Sequence, residues 1–482
     1  MSVAAKIAKN TTYLTLSSIV QKILAFGFYI YVAAQFSDVI LGRYTFALSF
    51  AGIFVIIMNF GLVPVLTREG AKKKESIKDQ LEYILGFKIV LSILSLVVMF
   101  SVFYLLNLSK DMPNYTVQLV YLSALVIIFD TFRSIFLATL RALQKMQYEA
   151  LGQIIYQTVV VTVGTVVLYL GMQAKALVLV IALASFVYFI YAVYVVITKA
   201  KIKPKIKWDR SQFMPLLKVA APFALADIFF KLNGSIDTVM LEYLAGDRFV
   251  AWYNIALKLT VTLTIIPGAF ATAFFPAMSK AFIDSHNKLR EIFEQTTQYL
   301  ILLSVPMSIG IGMLAPKIIG LAFPGHPAAI PALQIFMIGI VFLFVNYPIG
   351  NLLNAANKQT INTLNMGIAL LLNIILNIFL IPQYTYLGAA ASAVISSIVL
   401  VALGIPRVHA VIKFKKKPII YRLIKSIIAA SVMALVLYLL REISVLALIP
   451  IGVVIYAIVI YLLKGITNAE IKQLKKVFVP GA

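Results

Sequence analysis

Charged side chains interrupt stretches of this chain that are otherwise apolar: Lys22, Asp130, Arg133, Asp227, Lys231 and Lys258, with Asp237 towards one end of its stretch. A charge at the centre of a membrane helix costs about 2.5–3.5 kcal/mol on insertion scales, so such residues turn to a bundle interior and mark pathways. Lys22 lies about 16 Å along its span at 1.5 Å per residue, near mid-bilayer and at the limit of snorkelling. Asp227 and Lys231 are spaced i,i+4, acid first, the favoured order on a helix face. Asp130 and Arg133 are spaced i,i+3 and can also pair. Lys88 starts about two turns from a span end, where its stem can carry the ammonium out to the interface. In a hydrated cavity the cations would hold an anionic head group, and the carboxylates would fix the cations or bind a coupling ion, Na⁺ or H⁺. The competing reading is structural: paired charges that pack helix against helix.

Amides add a neutral polar set. Gln153 and Gln157 share a helix face, Asn351 and Asn354 are neighbours at i,i+3 with Asn346 further along, and Asn373 and Asn377 are spaced i,i+4. Such donors and acceptors can read sugar hydroxyls, and they serve equally as interhelical hydrogen bonds. Prolines at 64, 222, 267, 276, 306 and 348 give several spans a cause for kinking.

The elements that must carry these residues are legible in composition. The chain is 62% hydrophobic and 12% charged, with mean hydropathy +0.97, against about 25% charged in soluble domains. Fourteen apolar windows reach the roughly 20 residues a span needs, so the fold class is an all-α polytopic membrane protein with 14 transmembrane helices. The net charge of +24 does not point to nucleic acid, because the basic residues sit in short turns such as "REGAKKKESIKD", "KAKIKPKIKWDR" and "KFKKKPIIYR". Lys and Arg gather on the cytoplasmic side, which places both termini inside and leaves Arg43, Lys110, Lys175, Arg248, Lys317 and Arg441 outside. No cleavable signal peptide is read. With no cysteine and three histidines far apart, at 286, 326 and 409, no metal or thiol chemistry is expected. No P-loop pattern appears, and no cofactor is expected.

Two segments repeat one pattern without a gap. "LSSIVQKILAF…SDVILGRYTFALSF" and "LADIFFKLNGS…GDRFVAWYNIALKL" align Lys22 with Lys231, Asp38 with Asp247, Tyr44 with Tyr253 and Ala47 with Ala256. A weaker echo aligns Arg141–Lys145 with Asn354–Lys358 after the fourth and tenth spans. Six spans is an even number, so two lobes of like orientation related by a pseudo-two-fold along the membrane normal follow. The expected division is 1–200 for the first six-helix lobe, 201–212 for a cytoplasmic linker, 213–413 for the second lobe and 414–482 for two further helices and a tail.

Together "LGRYTFALSF", "RALQKMQYEA", "GSIDTVMLEYLAG", "VAWYNIALKL", "FFPAMSK" and "NIILNIFLIPQYTYLGAAASAVISS", in this order and spacing, resemble the polysaccharide biosynthesis/O-antigen (Wzx-type) flippases of the multidrug/oligosaccharidyl-lipid/polysaccharide exporter superfamily. The resemblance covers nearly the whole chain. It implies flipping of a polyprenyl-diphosphate-linked oligosaccharide to the outer leaflet of the cell membrane by alternating access, by a non-enzymatic monomer whose partners are the lipid-linked substrate and membrane lipids. It also implies a cationic cavity for pyrophosphate and sugars. The cavity set read from the residues is Lys22, Asp130, Arg133, Gln153, Gln157, Asp227, Lys231, Asp237, Lys258, Asn346 and Asn351. Two other functions compete: a drug or cation antiporter of the same superfamily, expected to show a cavity of carboxylates and aromatics, and a membrane glycosyltransferase or polymerase. The latter needs positioned acid/base groups, which the short outer loops lack.

Overall fold

The computed structural model describes residues 3–466, apart from the side chains of residues 3–12, 74, 210, 212, 226 and 230. Among the described residues fifteen α-helices follow one another: α1 Val3–Gln35, α2 Asp38–Asn59, α3 Leu62–Lys72, α4 Ile77–Lys110, α5 Asn114–Ala142, α6 Met146–Tyr169, α7 Ala174–Thr198, α8 Arg210–Leu244, α9 Asp247–Leu263, α10 Ile265–Asp284, α11 His286–Ala322, α12 Ala329–Ala355, α13 Gln359–Ile412, α14 Lys416–Leu439 and α15 Val445–Leu462. Among the described residues there is no strand. Side chains such as Leu105, Tyr169 and Leu462 are exposed, the surface of a protein whose solvent is lipid. This is a multi-pass membrane protein.

Twelve described helices are long and apolar enough to span a bilayer, thirteen if the bent pair Phe213–Leu225 and Asp227–Leu244 counts as one. The expected fourteen differs through α13. Its 54 residues contain Thr385 at φ 52, ψ −130, where two helices join. In a straight helix Leu380 and Gly388 would lie about 12 Å apart, yet a Cβ on Gly388 would run into the Leu380 carbonyl. The chain therefore folds back sharply there.

The second expected span, Arg43–Thr67, is broken. The α2 helix ends at Asn59, Phe60 takes φ 35 and Gly61 φ 70, and α3 starts in a new direction. Glycine suits position 61 twice over: φ is positive, and a Cβ there would overlap the Ala220 carbonyl of α8. The bend in α8 is 41°; Pro222 precedes it and withholds a backbone N–H.

The repeat is visible in local structure. Both α2 and α9 begin at the aligned aspartates, Asp38 and Asp247. Tyr44 and Tyr253, and Ala47 and Ala256, are all buried. The weaker echo is one and the same turn. Gln144 and Asn357 both have φ 56, and the following lysines donate from N to the carbonyls of Leu140 (2.8 Å) and Leu353 (2.7 Å). This is the six-to-one bond of a left-handed helix cap.

Two compact units emerge. The first runs to Asn254 and includes Ile374–Ala389; the second comprises Ile255–Asn373 and the chain from Ala390. In the first, α5 packs on α7 and α2, α1 on α6, and α8 on α2; in the second, α11 packs on α12 and α14, and α14 on α15. The basic connection around 201–209 lies inside the first unit, strapped to the start of α4. Lys207 Nζ bridges Asp79 (2.8 Å) and buried Glu82 (2.7 Å). The Lys205 and Lys207 amides donate to Glu82 Oε1 and to its carbonyl. Asp79 and Glu82 hold the Lys207 ammonium well above the usual lysine range. Its contribution is full below the unfolded lysine pKa of about 10.4 and is lost only as pH climbs through the raised folded value, so the strap persists across neutral pH.

Candidate functional site

Two adjoining cavities open within the first unit. One, of about 360 Å³, is lined from α5 by Asp130, Arg133, Ser134 and Arg141, from α6 by Glu149, Gln153 and Tyr156, from α7 by Tyr188 and from α1 by Gln21. The other, of about 780 Å³, brings Asn59 from α2 and Thr67 and Arg68 from α3 to Asp227 and Lys231 of α8. Ser134 and Arg141 line both.

The first cavity is built around two held guanidinium groups. Arg133 Nη1 lies 3.1 Å from Asp130 Oδ1, and its Cζ sits 4.4 Å from the Tyr188 ring centroid and 5.5 Å from that of Tyr156. An aromatic clamp of this kind fixes the plane of the cation and stabilises its charge away from water. Arg141 is forked onto Glu149, with Nε 2.8 Å from Oε2 and Nη2 on Oε1. The Glu149 side chain is 2% exposed. Tyr188 donates from its hydroxyl to the Glu149 backbone carbonyl at 2.9 Å, so the ring that clamps Arg133 also anchors the residue that holds Arg141. Gln153 accepts from Ser17 at 2.9 Å, tying α6 to α1. The ring reaches this position because residue 152 is glycine: a Cβ there would overlap the Tyr188 ring. Gly152→Ala is expected to displace Tyr188 and cost about 1–3 kcal/mol, the range for overpacking. The thermal unfolding midpoint of purified protein checks this, and an unchanged midpoint would show that the ring yields freely.

The second cavity depends on the break at Phe60–Gly61, which swings α3 so that Thr67 and Arg68 face it. Lys88 braces that break and corrects the snorkelling expectation. It is fully buried, its Nζ 2.6 Å from Asn59 Oδ1 and 3.5 Å from the Met58 carbonyl. An ammonium at a helix C-terminus meets unpaired carbonyls and the negative end of the dipole. Ser134 also donates to Asn59 Oδ1, at 3.3 Å. Lys88 therefore positions a cavity residue without reaching the cavity itself.

Of the residues expected from sequence, Asp130, Arg133, Gln153, Asp227 and Lys231 line these two cavities. Lys22 is exposed on α1, between Gln21 of the cavity wall and Ile23, itself 59% exposed. Gln157 is buried. Asp237 is buried outside the lining of either cavity and accepts from Tyr253 Oη at 2.7 Å and Asn377 Nδ2 at 2.6 Å. Lys258, Asn346 and Asn351 belong to the second unit, where Lys258 is exposed and Asn351 donates to the Ala271 carbonyl at 3.5 Å. Sequence reading missed Arg68, Arg141, Glu149 and Asn59 as cavity residues. Arg68 lay in a basic run read as topology, and Arg141 in the repeat echo. The signal available was Arg141 and Glu149 flanking one turn with opposite charge.

A family model described as polysaccharide biosynthesis protein matches residues 7–282, more than half of the chain and every residue lining the two cavities. The protein belongs to that family. The model of the MatE family matches residues 222–379 as well. An uncharacterized membrane protein of Methanocaldococcus jannaschii is 26% identical over 428 residues, covering 85% of this chain and 99% of the relative. The probable flippase AglR of Haloferax volcanii is 25% identical over 241 residues, 48% of each chain. Among solved structures, a lipid II flippase MurJ in an inward closed conformation superposes with TM-score 0.70 at 20% identity, covering 92% of this chain and 97% of that one. An inward-facing multidrug resistance MATE transporter gives TM-score 0.69 at 16% identity, covering 82% and 96%. These superpositions show a shared helical fold, and the polar residues lining the two cavities sit inside helices rather than on loops.

Proposed function

We propose that this protein flips a polyprenyl-diphosphate-linked oligosaccharide from the inner to the outer leaflet of the cell membrane, serving surface glycan assembly. The observation that carries the reading is the pair of adjoining cavities in which Arg133 is held by Asp130 and Arg141 by Glu149, with Arg68 and Lys231 as further cations in the lining beside Asp227. Fixed guanidinium groups bind phosphate oxygens bidentately, and Gln21, Gln153, Asn59 and Ser134 offer the neutral donors and acceptors that sugars need. The probable flippase among the relatives and the lipid II flippase among the solved structures support a flippase reading. Alternating access between two lobes, fourteen spans with both termini cytoplasmic, and a monomeric state belong to the proposal. So does coupling to Na⁺ or H⁺, which flux under imposed gradients would reveal. Lys22, exposed beside Gln21, is assigned to the path of the head group.

The test is reconstitution into liposomes with fluorescent lipid-linked oligosaccharide and an external quencher or glycosidase. Lys231→Ala, Arg133→Ala and Lys22→Ala are each expected to slow head-group translocation at least tenfold with unchanged expression. Wild-type rates in Lys231→Ala and Arg133→Ala would sink the cationic-cavity reading. The antiporter alternative is favoured by the MatE match; it requires instead that Asp130→Asn and Asp227→Asn abolish efflux of organic cations.

A further inference from the structure

A third cavity, of about 500 Å³, lies in the same unit between α3, α4 and α8, on the other side of Arg68. Its lining is mostly apolar, with Val65 from α3, Ile84 and Phe87 from α4, and Leu216 and Val219 from α8, and α4 adds Gln80 and Tyr83. Its rim is basic, with Arg68 and Lys73. Glu69 also lines it, but that carboxylate is engaged by Arg68 Nε at 2.7 Å and Lys72 Nζ at 3.1 Å; these partners hold Glu69 below the usual carboxylate range. Arg68 is further steadied 5.0 Å over the Phe223 ring, while Lys73 is exposed.

A second observation places this cavity at the membrane surface. Trp208, 55% exposed, stacks edge-on against the wall residue Phe87 at 5.4 Å. An exposed tryptophan whose ring packs on a span end sits at head-group level. Beside it runs the polybasic segment that contains Lys72, Lys73 and Lys78. Basic pockets between membrane helices at this depth attract anionic head groups, and the volume is within the roughly 300–1,000 Å³ of small-molecule sites.

We propose that this pocket binds an anionic membrane phospholipid, with its phosphate on Arg68 and Lys73 and one chain along Phe87, Leu216 and Val219. The basic side chains select the phosphate, and the apolar part of the lining selects a lipid over a free anion. Because Arg68 also lines the 780 Å³ cavity, lipid in this pocket and anion in that cavity share one guanidinium, so their affinities are linked reciprocally.

The experiment uses full-length protein in phosphatidylcholine vesicles doped with a photoreactive phosphatidylglycerol, with cross-links mapped by peptide mass spectrometry. Labelling needs no transport, so it is independent of the flippase reading. The expected result is label on α4 and α8 near Phe87 and Val219, displaced by unlabelled phosphatidylglycerol and not by extra phosphatidylcholine. Lys73→Glu, a surface change, is expected to lower labelling at least fivefold, and Val219→Trp, which fills the slot, to lower it similarly. Three outcomes would overturn the proposal: unchanged labelling in both variants, equal displacement by phosphatidylcholine, and displacement by polyprenyl phosphate alone, which would make the pocket a port for substrate.

Discussion

Replacing Arg141 with alanine is expected to abolish translocation and to lower stability by about 3 kcal/mol. The stability loss comes from Glu149. Its side chain is 2% exposed and that of Arg141 37%, and removing one partner of a buried pair costs about 3–5 kcal/mol because the other charge is stranded. The partial exposure of Arg141 argues for the lower end of that range. The transport loss has a different origin, since Arg141 lines both cavities and is the cation they share. The double variant Arg141→Ala/Glu149→Ala separates the two effects. It strands no charge, so the thermal midpoint should recover most of the loss while flux stays absent. Flux restored together with stability would mean that Arg141 is only a structural brace.

Lys88 is expected to behave in the opposite way. Lys88→Met keeps the length of the side chain and removes a fully buried ammonium whose described acceptors, Asn59 Oδ1 and the Met58 carbonyl, are neutral. Two effects compete. Losing the hydrogen bonds costs about 1.5–3 kcal/mol where a charged donor is involved. Relieving the desolvation of a buried ion returns several kcal/mol, and apolar replacement of buried charges is often stabilising by about 1–4 kcal/mol. Desolvation is the larger quantity, so Lys88→Met should hold or raise the thermal midpoint. Transport should nevertheless fall several-fold, because Asn59 and the break that aims α3 at the cavity lose their brace. Lys88→Ala adds a cavity and should cost about 2–5 kcal/mol. Thermal unfolding and liposome flux on the two variants check the pair of expectations, and a midpoint several degrees lower for Lys88→Met would show the charge to be a net stabiliser.

The sequence by itself determined the membrane class, the approximate run of spans, the duplicated pattern and the presence of charge inside the bundle. Each of these is local. A span is a length of apolar residues, and an intramembrane ionisable residue is conspicuous wherever it sits because its cost is high. The equivalence of Asp38 with Asp247, and of Gln144 with Asn357, was legible because one helix start and one left-handed cap each need the same few residue types. Tertiary structure decided which charges meet. Arg68 and Arg141 lie at span ends, where a cation reads as topology; only the turn at Phe60–Gly61 and the packing of α5 against α6 and α7 direct them inward. The same rotation of helices buried Lys88, which hydropathy would send to the interface, and wrapped Asp237 in donors from Tyr253 and Asn377. Helix rotation is set by side-chain packing between elements far apart in sequence, and periodicity along one helix carries no record of the neighbour it will face.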